Sequence, residues 1–138
     1  MTRTLKEAKD AGETPWNDVL VETRDYVVYR DAYPVTKGHV LFVPQKEDWQ
    51  HVTKCWEAAY KWGTDWVDRE YCDAFNIGMN VGEAAGQTVC YPHIHLIPRR
   101  TGDMSDPRGG VRHVIPHKGN YRLENDNDDY DLGSSVGC

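Results

Sequence analysis

Residues 88–100 read TVCYPHIHLIPRR: two histidines, His93 and His95, one residue apart, a proline just ahead of the first, and a closing pair of arginines. In a strand, successive side chains point to opposite faces. Tyr91, His93 and His95 are therefore expected in a row on one face, with Pro92, Ile94 and Leu96 on the other and the apolar set entering a core. Pro92 has no amide hydrogen to give a sheet, so the paired strand is expected to begin at His93.

Working outward, the loop GEAAGQT (82–88) joins HIHLIP to AFNIGMNV (74–81), which reads as the preceding strand. Earlier, VLVET and YVVYRD are rich in β-branched and aromatic residues and flank the turn-prone RD, the pattern of a hairpin. A third strand is expected from His39 to Val43, ended by Pro44. The clearest helix runs from Lys54 to Cys72 with Thr53 as N-cap. It gathers Cys55, Trp56, Ala59, Tyr60, Trp66, Val67 and Tyr71 on one face, read as core or subunit interface, while Gly63 marks close backbone packing or a bend. GGVRHVIP is expected to add a short strand. Strands grouped around one long helix point to an α+β domain with a mainly antiparallel sheet.

With 138 residues, 39% of them hydrophobic, the chain suits one core. A single domain is expected over 1–122, followed by an acidic and mobile tail over 123–138. No apolar run is long enough for a bilayer, and the N-terminus lacks the apolar centre of a secretion signal, so a cytoplasmic protein is expected. Cys55, Cys72, Cys90 and Cys138 form no C-x-x-C pair, which argues against a disulfide framework or a zinc knuckle. Residues 99–122 hold six basic side chains against two acidic ones within a chain of net charge −6. That local field suits a phosphorylated small molecule, whereas the overall acidity argues against nucleic acid.

Two imidazoles in a row suit three readings. They could share a zinc ion if a third ligand such as His39, His113 or His117 joined them. One could attack a phosphorus centre while the other assists the leaving group. They could also lie on an exposed strand face with no task. The residues alone leave these open.

The set GEAAGQTVCYPHIHLIPR, preceded by NIGMN and DAYPVTKGHVLFVP, resembles the histidine triad (HIT) family of nucleotide hydrolases and transferases from about Asp18 to Tyr121. The resemblance implies a HIT-like fold, a five-stranded antiparallel sheet with one long amphipathic helix and a short second helix, and a homodimer. It also implies action on the α-phosphate of a purine nucleotide, dinucleoside polyphosphate or phosphoramidate. On this resemblance His93 is the nucleophile, His95 binds the phosphate and helps the leaving group, and His39 belongs to a relay behind them. Thr88, with backbone amides near Gly86 and Gln87, holds the phosphate; Asn80 contacts the bridging side; Asp31 binds the ribose hydroxyls. No cofactor is implied, although a divalent cation can accompany the substrate. Two departures stand out. Tyr91 occupies the place of the first histidine, where a phenol could keep the relay connected without taking up a proton. The sequence TPWN (14–17) stands where many relatives carry a Cys-x-x-Cys, so the metal site sometimes found there is not expected. Pro92 is similar to the proline of the related galactose-1-phosphate uridylyltransferases, which keeps transfer open beside hydrolysis.

Overall fold

A computed structural model of the protein describes residues 2–121, in two compact units that divide between Asp103 and Met104. The tail expected over 123–138 lies outside the described residues.

The first unit is a five-stranded antiparallel sheet. Its strands are β1 (Val19–Glu22), β2 (Tyr26–Arg30), β3 (Val40–Pro44), β4 (Ala74–Gly78) and β5 (Ile94–Arg99), in the spatial order β1-β2-β3-β5-β4. The hairpin and all five strands sit where their β-rich runs place them. β5 starts at Ile94, one residue later than expected, and β3 starts at Val40. β3 lies centrally and is buried along its whole length, which is why VLFVP reads as continuous apolar residues without alternation.

Helices cover both sheet faces. The long α2 (Trp49–Asp68) buries Cys55, Ala58, Ala59 and Gly63, and the first three form one core with Val28, Val40, Phe42, Ile94 and Leu96. It begins five residues earlier than expected because Asp48, not Thr53, is the N-cap. The Asp48 carboxylate accepts from the amide of His51 at 2.8 Å, while the Thr53 hydroxyl donates back to the Trp49 carbonyl. The helix stops at Asp68, where Arg69 caps it and Glu70 turns to a positive φ of 63°, so Tyr71 and Cys72 lie beyond it. The buried face is also rotated from the expected one: Tyr60 is 61% exposed and Trp56 39%, and the close contact falls at Gly63. A Cβ there would stand 2.6 Å from the Phe75 ring, so glycine allows α2 to touch β4.

On the other face, the short α1 (Leu5–Asp10) is fixed by a capping box in which Thr4 and Glu7 bond each other's backbone amides. Its Leu5 and Ala8 pack on Val27, Tyr29, Leu41, Val43 and Tyr91. That helix covers only part of this face.

In the second unit, GGVRHVIP does not form a strand. Gly109 and Gly110 take φ of 101° and 51°, which breaks an extended run, and the chain continues as two 3-10 turns, Gly110–Val114 and Pro116–Lys118. The Arg112 guanidinium donates to the carbonyls of Gly119 and Lys118, both at 3.1 Å.

Candidate active site

β5 delivers His95 and, from the residue just before it, His93 to the face that α1 leaves uncovered. A cavity of about 390 Å³ opens there, a size ordinary for small-molecule sites. Of the residues singled out in the sequence, Asp31, Asn80, Gly86, Thr88, His93 and His95 line it together. His39 stands behind His95, almost entirely buried.

The hydrogen bonds fix where the ring protons sit. The Nδ1 of His93 lies 2.9 Å from the Tyr91 carbonyl, which can only accept, so Nδ1 carries the hydrogen and Nε2 keeps its lone pair. The Val35 amide donates to His39 Nδ1 at 3.0 Å, so His39 carries its proton on Nε2. That nitrogen is 2.9 Å from His95 Nδ1 and 3.4 Å from an Asp31 carboxylate oxygen. His95 therefore accepts at Nδ1 and holds its own hydrogen on Nε2. In sum, one imidazole carries a bare nitrogen and its neighbour an N–H, their ring centroids 5.4 Å apart.

Electrostatics keep His95 neutral. Burial, joined by the nearby His39 and His93 rings, pushes its pKa down to about 4 against a weaker upward pull from Asp31. Burial also lowers that of His39, again partly opposed by Asp31.

Tyr91 needs correction. It is expected in the ligand-facing row, yet it is wholly buried beneath α1, and its phenol donates to the Pro44 carbonyl at 2.7 Å. Burial pushes its ionisation well up from the ordinary tyrosine value. The side chain is core, and the part of Tyr91 that reaches the site is its backbone carbonyl. The expectation failed because α1 closes over Tyr91, which strand alternation alone cannot show.

The glycine-containing loop also differs in detail. The amide of Gly86 donates to the Glu83 carbonyl and that of Gln87 to the Gly82 carbonyl, at 2.9 and 3.2 Å. The Gln87 side chain is a brace: it accepts from the Gly82 amide and donates to the carbonyls of Val89 and Cys90. Those two residues hold the loop in shape, and Thr88 is its hydroxyl-bearing residue on the cavity wall. The first two members of the basic island are already engaged. Arg99 is held by Asp103 and Asn76, and Arg100 donates to the carbonyls of Lys37 and Tyr71.

Sequence reasoning missed five further residues of the cavity lining, Trp16, Tyr33 and Leu41 with Asp18 and Arg30. Asp18 and Arg30 pair at 3.1 Å, and Trp16 stands 4.9 Å from the His93 ring. TPWN drew notice only for lacking cysteines, and nothing in its pattern says that its tryptophan meets a histidine 77 positions away.

Asp31, His39 and His95 place three potential ligand atoms within 4.8 Å of one another. His93, the partner of His95 in the zinc reading left open above, is not among them. The facing nitrogens of His39 and His95 are joined by a hydrogen bond at 2.9 Å, shorter than the roughly 3.3 Å separating two nitrogens on a tetrahedral zinc. As folded, His39 and His95 are hydrogen-bonded to each other, with an Asp31 carboxylate oxygen 3.4 Å from His39 Nε2.

The HIT domain model matches residues 13–102. Over 98 residues the chain is 30% identical to the asymmetrical bis(5'-nucleosyl)-tetraphosphatase of Schizosaccharomyces pombe, covering 65% of this chain. Over 88 residues it is 30% identical to the adenosine 5'-monophosphoramidase of Saccharomyces cerevisiae, covering 59% of this chain. It spans about half the length of these two relatives, 53% of each. In fold it is similar to a zinc-bound histidine triad family protein from Mycobacterium smegmatis, with a TM-score of 0.59, 24% identity, and coverage of 87% of this chain and 94% of that one. The five-stranded antiparallel sheet, the two histidines at the start of β5, the extent of the domain match and relatives that include nucleotide hydrolases all agree, and the chain belongs to the HIT family.

Proposed function

We propose that the protein is a nucleotide phosphohydrolase that acts at an α-phosphate through a covalent intermediate on His93. The observation that carries this reading is the Tyr91 carbonyl bonded to His93 Nδ1, because it fixes the tautomer whose Nε2 lone pair is free to attack.

In the step proposed, Nε2 forms a bond to the α-phosphorus, and the bond to the leaving phosphate breaks with its electron pair going to that phosphate. The imidazole keeps Nδ1–H and becomes a cationic nucleotidyl adduct. Water then attacks phosphorus, the P–N bond electrons return to Nε2, and the water's surplus proton passes to solvent. His95 Nε2–H and the Thr88 hydroxyl donate to the phosphoryl oxygens as charge builds there; losing one such donor typically costs about 2.7–4 kcal/mol. In this reading the Asp31 carboxylate accepts from ribose hydroxyls and the Asn80 amide meets the leaving side, a reading supported by both residues lining the cavity.

A neutral His95 donates a hydrogen bond but brings no surplus proton. That favours leaving groups that depart as phosphate anions, so dinucleoside polyphosphates are the favoured substrates and phosphoramidates the slower ones. The same adduct handed to a second phosphate would make the protein a nucleotidyltransferase, a reading that Pro92 ahead of His93 favours. The test is a turnover assay with dinucleoside polyphosphates, nucleoside phosphoramidates and nucleotide sugars, with and without an added phosphate acceptor. Release of nucleoside monophosphate without acceptor supports hydrolysis; no product from any of them sinks the reading.

A further inference from the structure

Trp16 lies in the segment linking α1 to β1, and its place is over-determined. Lys9 Nζ donates to the Trp16 carbonyl and to the Tyr29 hydroxyl, both at 3.2 Å. The indole centre stands 6.0 Å from that of the Tyr29 ring and 4.9 Å from that of the His93 ring, tilted by 57° to the latter. A tryptophan ring attracts a cation placed within about 6 Å of its centre, and the attraction grows when water is excluded. The imidazole of His93 becomes such a cation as soon as Nε2 bonds an electrophile while Nδ1–H stays on the Tyr91 carbonyl.

We propose that Trp16 is a positioning residue for the His93 nucleophile: its indole holds the imidazole with Nε2 toward the cavity and stabilises the positive charge the ring gains on attack. This rests on His93 being the nucleophile. It assigns α1 a task beyond covering Tyr91, because Lys9 ties that helix to the wall that meets His93.

The test uses the full-length protein and diethyl pyrocarbonate, an electrophile that needs no nucleotide site. Nε2 bonds to the reagent's carbonyl carbon and ethyl carbonate departs, so the ring passes through the same cationic state before losing Nδ1–H. The rate at His93 is read by peptide mass spectrometry relative to His117, which is exposed in the second unit. Trp16→Leu and Trp16→Met are expected to lower that ratio on the order of tenfold, and Trp16→Phe to restore most of it. Equal ratios for Trp, Phe, Leu and Met would overturn the proposal, and so would a drop in Phe as large as in Leu. Thermal unfolding of each variant accompanies the assay, and the methionine variant carries the aliphatic arm if leucine does not fold. Nucleotide turnover is measured on the same proteins. A lowered ratio with no turnover in the parent upholds the role of Trp16 and removes the hydrolase reading, while turnover with equal ratios does the reverse.

Discussion

Along the stretch that enters β5, Ile94 and Leu96 face α2 and are fully buried, while His93, just ahead of the strand, and His95, within it, face the cavity and remain half-buried. One strand thus serves two environments, and the helices decide which is which. On its side α2 is long enough to seal the sheet with alanine, cysteine and glycine at the contact. On the other side α1 has six residues and closes only over Tyr91, Tyr29 and their neighbours. The uncovered remainder is where the polar side chains meet. The sealed face should therefore govern stability and the open face reactivity, with the two separable by substitution.

The sharpest way to break that division is His93→Ala. Turnover should fall by on the order of 10⁴-fold or more, with the unfolding midpoint in urea nearly unchanged, as measured by steady-state assay and equilibrium denaturation. A large stability loss would mean that the open face also carries the fold. His39→Ala comes next. It removes the proton donor to His95 Nδ1 and frees the His95 tautomer, so activity should drop on the order of 100-fold.

Gly63→Ala tests the sealed face. The added methyl meets the Phe75 ring, and stability should fall by about 2 kcal/mol even though alanine is the better helix former. Activity of the folded fraction should persist. Tyr91→Phe probes the border between the faces: it strands the Pro44 carbonyl in the core and should cost about 1 kcal/mol of stability. Its effect on turnover should be smaller than that of His39→Ala, because the backbone carbonyl that orients His93 remains.

The gentlest test is pH. The lowered His95 pKa means that the folded state resists a proton which the unfolded chain accepts, so its contribution to stability is present above 6.5 and is lost as pH falls from 6.5 toward about 4. Cys55, raised to about 12 chiefly by burial, acts in the opposite direction: stability is present below 9.0 and is lost as pH climbs from there toward 12. Urea midpoints across the pH range should show both flanks, and His39→Ala should shift only the acid one.

Much of this was legible in the sequence. Runs rich in β-branched and aromatic residues mark the strands, and the loop and histidine signature marks β5 and its cavity, because both are local patterns. The residues misread are those whose environment comes from elsewhere in the chain. Strand alternation placed Tyr91 on the correct face of the sheet, but α1, some 80 positions earlier, turns it from ligand wall into core. Trp16 carries no motif, and its meaning comes from touching His93. The start of α2 was missed because Asp48 precedes the apolar pattern, and Gly86 and Gln87 were given donor roles that their own turn consumes. In each case a backbone hydrogen bond or a packed neighbour, invisible to periodicity, decided the outcome.

The most direct measurement is quench-flow of the protein with a dinucleoside polyphosphate into alkaline denaturant, followed by peptide mass spectrometry. The account predicts a nucleotidyl mass on the peptide carrying His93, formed within the first turnover and missing from His93→Ala. Turnover that proceeds with that peptide unmodified at every time point, or a nucleotidyl mass residing on His95 or His39 instead, would contradict it.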